Sequence, residues 1–401
     1  MLSPSEALQH MLAAATLPPS SRRLSLAASL GATLSADVPA SQAVPAFDNS
    51  AMDGYALRAA DALDGSSLPV SQRVFAGGDP QPLVAGTAAR IFTGAPVPVG
   101  ADCVVAQEAC TVAANRVTVE EGAVAAGRHV RRRGEDIAAG SIAVQRGRRL
   151  RPQDLGLLAS VGVAEVDVYR PLRVAVLVTG DELRKSGSGP LAPGEIYNSN
   201  GPMLSALVRR CGMQVGMETT VADDREAVSR ALADAADAAD VILSTGGVSV
   251  GDADHVREQV ERLGSLSLWR IALKPGKPLA FGRVGEVPFI GLPGNPSSVF
   301  VTFAVLARPF LLACQGNLEP ALPRLAVRAG FDLEVAGSRE EYLRVMLVQT
   351  DARLEAVPAG NQSSGALSAT ARAQAFAVVP ARTRIEHGDP VDVILLDALI
   401  P

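Results

Sequence analysis

Residues 240–256 read DVILSTGGVSVGDADHV. The apolar run 241–244 has the pattern of a strand buried on both faces. It leads into a glycine-rich loop and then a helix that starts near 253. In an open parallel sheet, ligands gather beyond the carboxyl ends of the strands. Glycines let the backbone approach a ligand closely, and free N–H groups at a helix start attract phosphate. The spacing is neither GxGxxG nor a Walker A loop, so both nucleotide fingerprints fail. Asp252 and Asp254 follow at once. Such carboxylates either cap the helix or hold Mg²⁺, which needs one or two protein carboxylates.

Outward from this stretch, residues 171–316 alternate strand and helix. Strands are expected at 174–178, 241–244, 266–273 and 288–292. Helices are expected from Asn200 to a stop at Gly212, after the capping-box-like pair Asp223 and Glu226, and over 253–263. A nearly all-apolar helix follows Asn295-Pro296 and should be buried, with Pro309 kinking it. This alternation implies a mostly parallel sheet covered on both faces. A short helix is expected over 4–15. From 44 to about 140, short strand-like runs (ARIF, DCVVAQE, RVTVE) alternate with turn residues, as in a separate β domain. Beyond Gly316 the runs RLAVRAG, YLRVMLVQT, FAVVP and VDVILL predict a small β-barrel or sandwich. The basic run RHVRRR (128–133) reads as a solvated face.

Composition narrows the function classes. The chain has 401 residues, 48 % hydrophobic and 20 % charged, with net charge −5. That excludes global disorder and predicts two or three domains by length. The acidic balance disfavours bulk nucleic-acid binding. Four cysteines without CxxC pairing argue against a disulfide scaffold or a zinc site and for a reducing compartment. No signal peptide is evident, and no run of ~18 apolar residues suggests a membrane span.

Further segments have chemical potential. LKPGKP (273–278) places Lys274 and Lys277 around a Pro-Gly turn, with Arg270 nearby, which suits an anion site. LVTGDEL (177–183) puts Asp181 and Glu182 after a buried strand, to position a metal, accept hydrogen bonds or act as a base. LPGNPSS (292–298) offers a helix N-terminus with Ser297 and Ser298 in its first turn. FDNSAMDGYAL (47–57) is a polar loop of the β domain. GVSVG (247–251) matches the serine-hydrolase elbow with Ser249 as nucleophile, but His255 is too near in sequence to serve it, and His387 is the other downstream histidine.

The motifs SAMDGY (50–55), FTGA (92–95), GEDI (134–137), TGDEL (179–183), STGGVSVG (244–251), KPGKP (274–278) and LPGNP (292–296) occur in this order. Together they make the chain resemble the molybdopterin molybdenumtransferase family, bacterial relatives of the gephyrin E-domain, over essentially its whole length. The resemblance implies an α/β plus β multidomain fold. A discontinuous linking domain would span 1–40 and 141–170, a β-rich domain 41–140, a molybdopterin-binding α/β domain 171–316, and a C-terminal β-barrel 317–401. It implies an elongated cytoplasmic homodimer, with the site between the α/β domain of one subunit and the β domain of the other.

The implied reaction is insertion of molybdate into adenylylated molybdopterin with loss of AMP, giving molybdenum cofactor, with Mg²⁺ as cofactor. The molybdopterin adenylyltransferase and apo-molybdoenzymes are the implied partners, with no nucleic acid or membrane involved. By resemblance, Asp53, Thr93 and Asp136 come from the facing subunit. Glu182, Asp252 and Asp254 handle pterin or metal, and Gly246, Gly247 and Ser249 cradle phosphate. Lys274, Lys277 and Ser297 or Ser298 hold molybdate or phosphate. Arg344 and either Ser363 or Ser364 (GNQSSGALS, 360–368) add oxyanion contacts. Arg270 stands where the family commonly has Lys. A non-catalytic pterin carrier or a scaffold is the alternative reading, and a Ser249 hydrolase a remote one.

Overall fold

The computed structural model describes residues 1–16, 20–62, 66–247, 255–318, 320–350 and 353–399. Among the described residues, the central sheet has strands β1 (Arg173–Thr179), β2 (Gln214–Val221), β3 (Val241–Thr245), β4 (Gly264–Arg270), β5 (Pro278–Val284) and β6 (Val287–Leu292). Their spatial order is β2-β1-β3-β6-β5-β4. The pairings β2–β1, β1–β3 and β3–β6 are parallel, whereas β6–β5 and β5–β4 are antiparallel. The sheet is therefore parallel over its first four strands and ends in an antiparallel edge. Strands β2 and β5 carry no signal as strong as the VAVLV and VILS runs. Strand β2 alternates exposed and half-buried positions, as an edge strand should.

Helices α1 (Asn200–Arg210), α2 (Arg225–Ala238), α3 (His255–Leu263) and α4 (Pro296–Cys314) cover the sheet. One face packs α2 and α3, through Val228, Leu232, Ala235, Val256 and Val260, on Ala175, Leu177, Ile242 and Phe289. The other packs α1 and α4 on Val174, Val176, Leu243 and Ile290. Asp224 rather than Asp223 caps α2, accepting from Ala227 N–H at 2.9 Å, and the Asp223 N–H donates instead to Asp181 Oδ1. Helix α4 is long and apolar enough to cross a membrane by length and composition, yet 83 % of its apolar window is buried inside this fold. Its turns widen to π geometry over Phe303–Ala307, next to Pro309, which has no N–H to continue the ladder.

The Pro4–Ala13 helix, closed by a Ser3–Glu6 capping box, buries Ala7 and Met11 in this same core. Residues 21–40 and 142–169 form a separate cluster around Leu34, Leu158 and Val168, with Ser21–Ser25 antiparallel to Glu165–Tyr169. Residues 54–119 form a curled sheet among which Gly54–Leu57 pairs with both Ala88–Ile91 and Cys103–Ala106. The arginines of the basic run are exposed, as a solvated face should be, but the run also makes contacts. Arg132 pairs with Asp48 at 2.7 Å, and Val130–Arg131 pairs with Asn49–Ser50, so the run staples the loop that carries Asp53.

Among the described residues, Leu325–Ala329, Glu340–Gln349, Leu354–Pro358, Ala375–Val379 and Pro390–Leu395 close into a five-stranded barrel. Barrel residues Tyr342, Phe376, Val378 and Ile394 enter the core of the α/β unit. Phe376 meets Phe300 of α4 edge-on at 5.9 Å. The Leu273–Lys274 segment adds to the barrel edge, in parallel register with Glu340 and Glu341. The expected strand 266–273 is thus split: β4 stops at Arg270, and Leu273 leaves the sheet for the barrel. All four cysteines are unpaired, and burial pushes the Cys103 thiol up to about 12.

Candidate active site

The chain runs from β1 to β2 on one side and returns to β3 on the other. The carboxyl ends of β1 and β3 are therefore a topological switch point, where a crevice opens. β1 ends at Thr179 and β3 at Thr245, followed by Gly246 and Gly247. Gly246 has φ +88°, and a Cβ there would lie 2.4 Å from the Thr179 carbonyl oxygen. No L side chain fits so close an approach. Asn200 Nδ2 donates to Thr245 Oγ1 (3.2 Å) and to the Gly294 carbonyl (2.7 Å), and Thr245 Oγ1 donates to the Pro293 carbonyl (2.7 Å). These bonds tie the ends of β3 and β6 to the start of α1.

The resulting cleft has a volume of about 850 Å³. It is lined by Glu182, Gly246, Gly247, Lys274, Lys277, Ser298, Ser363 and Ser364 from the sequence-predicted set. Asn198, Asn200, Arg339 and Gln362 line it as well, and sequence reasoning missed them. Arg339 Nη1 donates to the Leu273 carbonyl at 3.2 Å, which fixes its guanidinium at the rim. Lys277 is exposed. Lys274 Nζ is 2.8 Å from Oε1 of Glu341, whose side chain is 7 % exposed. Glu341 is a further residue without a spacing signal, because strand register across the barrel brings it here.

The barrel loop 361–365 forms the opposite wall. Asn295 occupies the position before α4 but its side chain does not cap the helix. It donates to Ser364 Oγ at 3.0 Å, and the Ser297 N–H donates to the Ser364 carbonyl at 3.0 Å. Ser297 Oγ faces away from the cleft, bonded to the Ala366 carbonyl and Thr370. Arg344 is 1 % exposed and donates to the Ser363 carbonyl at 3.1 Å. Arg344 and Ser297 thus hold the serine loop from behind and do not line the cleft. Burial holds the Arg344 guanidinium below its ordinary pKa.

Asp53, Thr93 and Asp136 lie in the curled-sheet unit and do not line this cleft. Asp53 Oδ1 accepts from the Thr93 N–H and the Thr93 hydroxyl, both at 2.8 Å. Those bonds, the N–H first, hold the Asp53 carboxyl below its usual range. Asp136 is exposed. Ser249, Asp252 and Asp254 fall outside the described residues, and so does the Gly-rich loop between Gly247 and α3. Among the described residues, no group of three or more metal-ligating side chains occurs. His387 sits on the barrel, 3.9 Å from Glu355, and is no partner in this cleft. Arg270 is exposed outside the lining.

Three family models match the chain. The MoeA N-terminal region (domain I and II) covers residues 2–162, the probable molybdopterin binding domain 175–313, and the MoeA C-terminal region (domain IV) 326–396. A Haemophilus influenzae protein named molybdopterin molybdenumtransferase is 35 % identical over 397 residues, which is 98 % of both chains. The chain belongs to the molybdopterin molybdenumtransferase family. A Mycobacterium tuberculosis member, molybdopterin molybdenumtransferase 2, is 39 % identical over 79 % of this chain and 81 % of its own. A solved Pyrococcus structure described as a molybdopterin biosynthesis MoeA protein superposes with TM-score 0.76 at 30 % identity, over 98 % of this chain and 99 % of that one. In this family frame, the α/β unit that carries the cleft corresponds to the molybdopterin binding domain, and the loop bearing Ser363 and Ser364 to the C-terminal region.

Proposed function

We propose that this chain is a transferase that inserts molybdate into adenylylated molybdopterin, with release of AMP, to form molybdenum cofactor. The observation that carries the reading is the cleft itself, where Lys274, Lys277 and Arg339 meet the Gly246–Gly247 turn and two serines at a switch point. The substrate brings a pyrophosphate and molybdate is a tetrahedral dianion, so cations and backbone N–H groups are the fitting chemistry. Family membership agrees with it.

In this reading Lys277 and Lys274 hold molybdate against Ser364 or Ser363 and Ser298. Gly246 and Gly247 let the pterin phosphate approach the backbone. Glu182, folded back over Gly180, faces the substrate from the end of β1. Orientation of molybdate toward the dithiolene sulfurs supplies catalysis by proximity. Asp53, Thr93 and Asp136 act from the partner in a homodimer, because their own unit does not reach this cleft. Magnesium would be held by Asp252 and Asp254 and would neutralise charge on the pyrophosphate. In this reading the enzyme works in the cytoplasm, and an adenylylating enzyme supplies its substrate.

The test is AMP release from adenylylated molybdopterin by the purified chain with Mg²⁺, with and without molybdate. Molybdate-dependent release, with product that activates an apo-molybdoenzyme, is expected. Tight binding without release would make the chain a carrier and overturn the proposal.

A further inference from the structure

We propose that Glu341 is a built-in competitor for the Lys274 ammonium and so sets how tightly the cleft holds an oxyanion. The inference rests on the oxyanion reading of the cleft.

Lys274 is 47 % exposed at the cleft while its partner Glu341 is 7 % exposed in the barrel wall, with Nζ and Oε1 2.8 Å apart. The contact is set by backbone, not by loose side chains. Residues 273 and 274 pair in register with 340 and 341, and the barrel shares a core with the α/β unit. An ammonium has three donors. The bond to Oε1 uses one and leaves the others for a ligand in the cleft. A carboxylate this buried needs its cation, so the ammonium is shared and never wholly given to an incoming anion.

The charge at the cleft follows. Lys274, Lys277 and Arg339 line it, and Glu341 cancels about one of these charges directly behind Lys274. Removing that negative charge, with shape kept, leaves the ammonium to the ligand. Oxyanion affinity should then rise, the opposite of what loss of a merely structural salt bridge would do. The same device limits capture of other tetrahedral dianions such as sulfate.

The experiment is calorimetric titration of the full-length chain with molybdate and with sulfate at fixed ionic strength, alongside thermal unfolding. Glu341→Gln is expected to tighten both anions about tenfold, the scale of one unit charge a few ångströms away in a half-exposed site. In a Lys274→Ala background the same change should shift affinity less than about twofold, because the competitor has lost its object. Should Glu341→Gln fail to fold, Glu341→Asp, which keeps the charge but withdraws it from Nζ, is expected to tighten binding by a smaller factor. Unchanged or weaker binding in a folded variant overturns the inference while leaving the oxyanion reading intact. Failure of wild type and variant alike to bind either anion would overturn the oxyanion reading, and this inference with it.

Discussion

Asn295 donates its amide to Ser364 Oγ across 3.0 Å, joining the start of α4 to a loop of the barrel. The Ser297 N–H answers with a 3.0 Å bond to the Ser364 carbonyl. One serine thereby accepts the free Ser297 N–H in the first turn of α4 and stands in the cleft wall at the same time. Helix and barrel loop form one continuous stretch of the cleft wall.

Asn295→Ala should therefore act in both places. It removes an exposed neutral hydrogen bond, worth about 0.5 kcal/mol in urea unfolding. It should also weaken molybdate binding, since Ser364 is no longer held. A double-mutant cycle with Ser364→Ala should show the two losses to be non-additive.

Gly246→Ala is expected to be severe. The residue sits at φ +88°, and the added methyl would stand 2.4 Å from the Thr179 carbonyl. Backbone strain and the clash together should exceed about 2 kcal/mol. Denaturant midpoints and pterin binding should both fall.

Lys277→Ala should separate binding from folding. Lys277 is exposed, so stability should change by less than about 0.5 kcal/mol. Oxyanion affinity should fall by about tenfold or more, with a shallower dependence on salt.

Asp53→Ala should keep substrate binding and lose AMP release. The Thr93 bonds keep the Asp53 carboxylate ionised below the usual carboxylate range. The acidic limb of a pH–rate profile should then not be set by Asp53, and it should stay in place in Thr93→Val, which keeps the backbone N–H bond that does most of the lowering. Normal turnover by Asp53→Ala would remove the residue from the machinery.

Asp240 gives a stability prediction with a defined sign. Burial raises its carboxyl pKa, but hydrogen bonds from Arg170 and Arg173 outweigh that and lower it to about 2. A depressed folded pKa contributes stability that is fully present above the unfolded value of 3.8 and is lost as pH falls toward 2. The contribution is ~2 kcal/mol. Asp240→Asn should lower stability at neutral pH and flatten its fall between about pH 4 and 2, as measured by denaturant unfolding across that range.

Much of this was legible in residues alone. VAVLV and VILS are apolar enough to be strands wherever they stand, and Gly246 and Gly247 mark a turn that only glycine makes. The Pro-Gly turn between Lys274 and Lys277 is a local feature too, and both lysines line the cleft. Less legible were β2, whose alternation is weak, and the cap of α2, where two adjacent aspartates compete and the structure uses the second.

Local backbone and periodicity determined the strands, the glycine turns and the lysine pair, and the ordered motifs carried the resemblance to a family. Tertiary structure decided which of those residues share a cleft. Arg344 went behind the serine loop and Arg339 to its rim, although both lie on one stretch of chain. Glu341 met Lys274 across strand register between distant segments. Asp53 was placed away from the cleft it is expected to serve. For the barrel residues the physical reason is shared: side-chain direction and cross-strand register are set by how barrel and sheet pack on α4, and no local spacing encodes that packing.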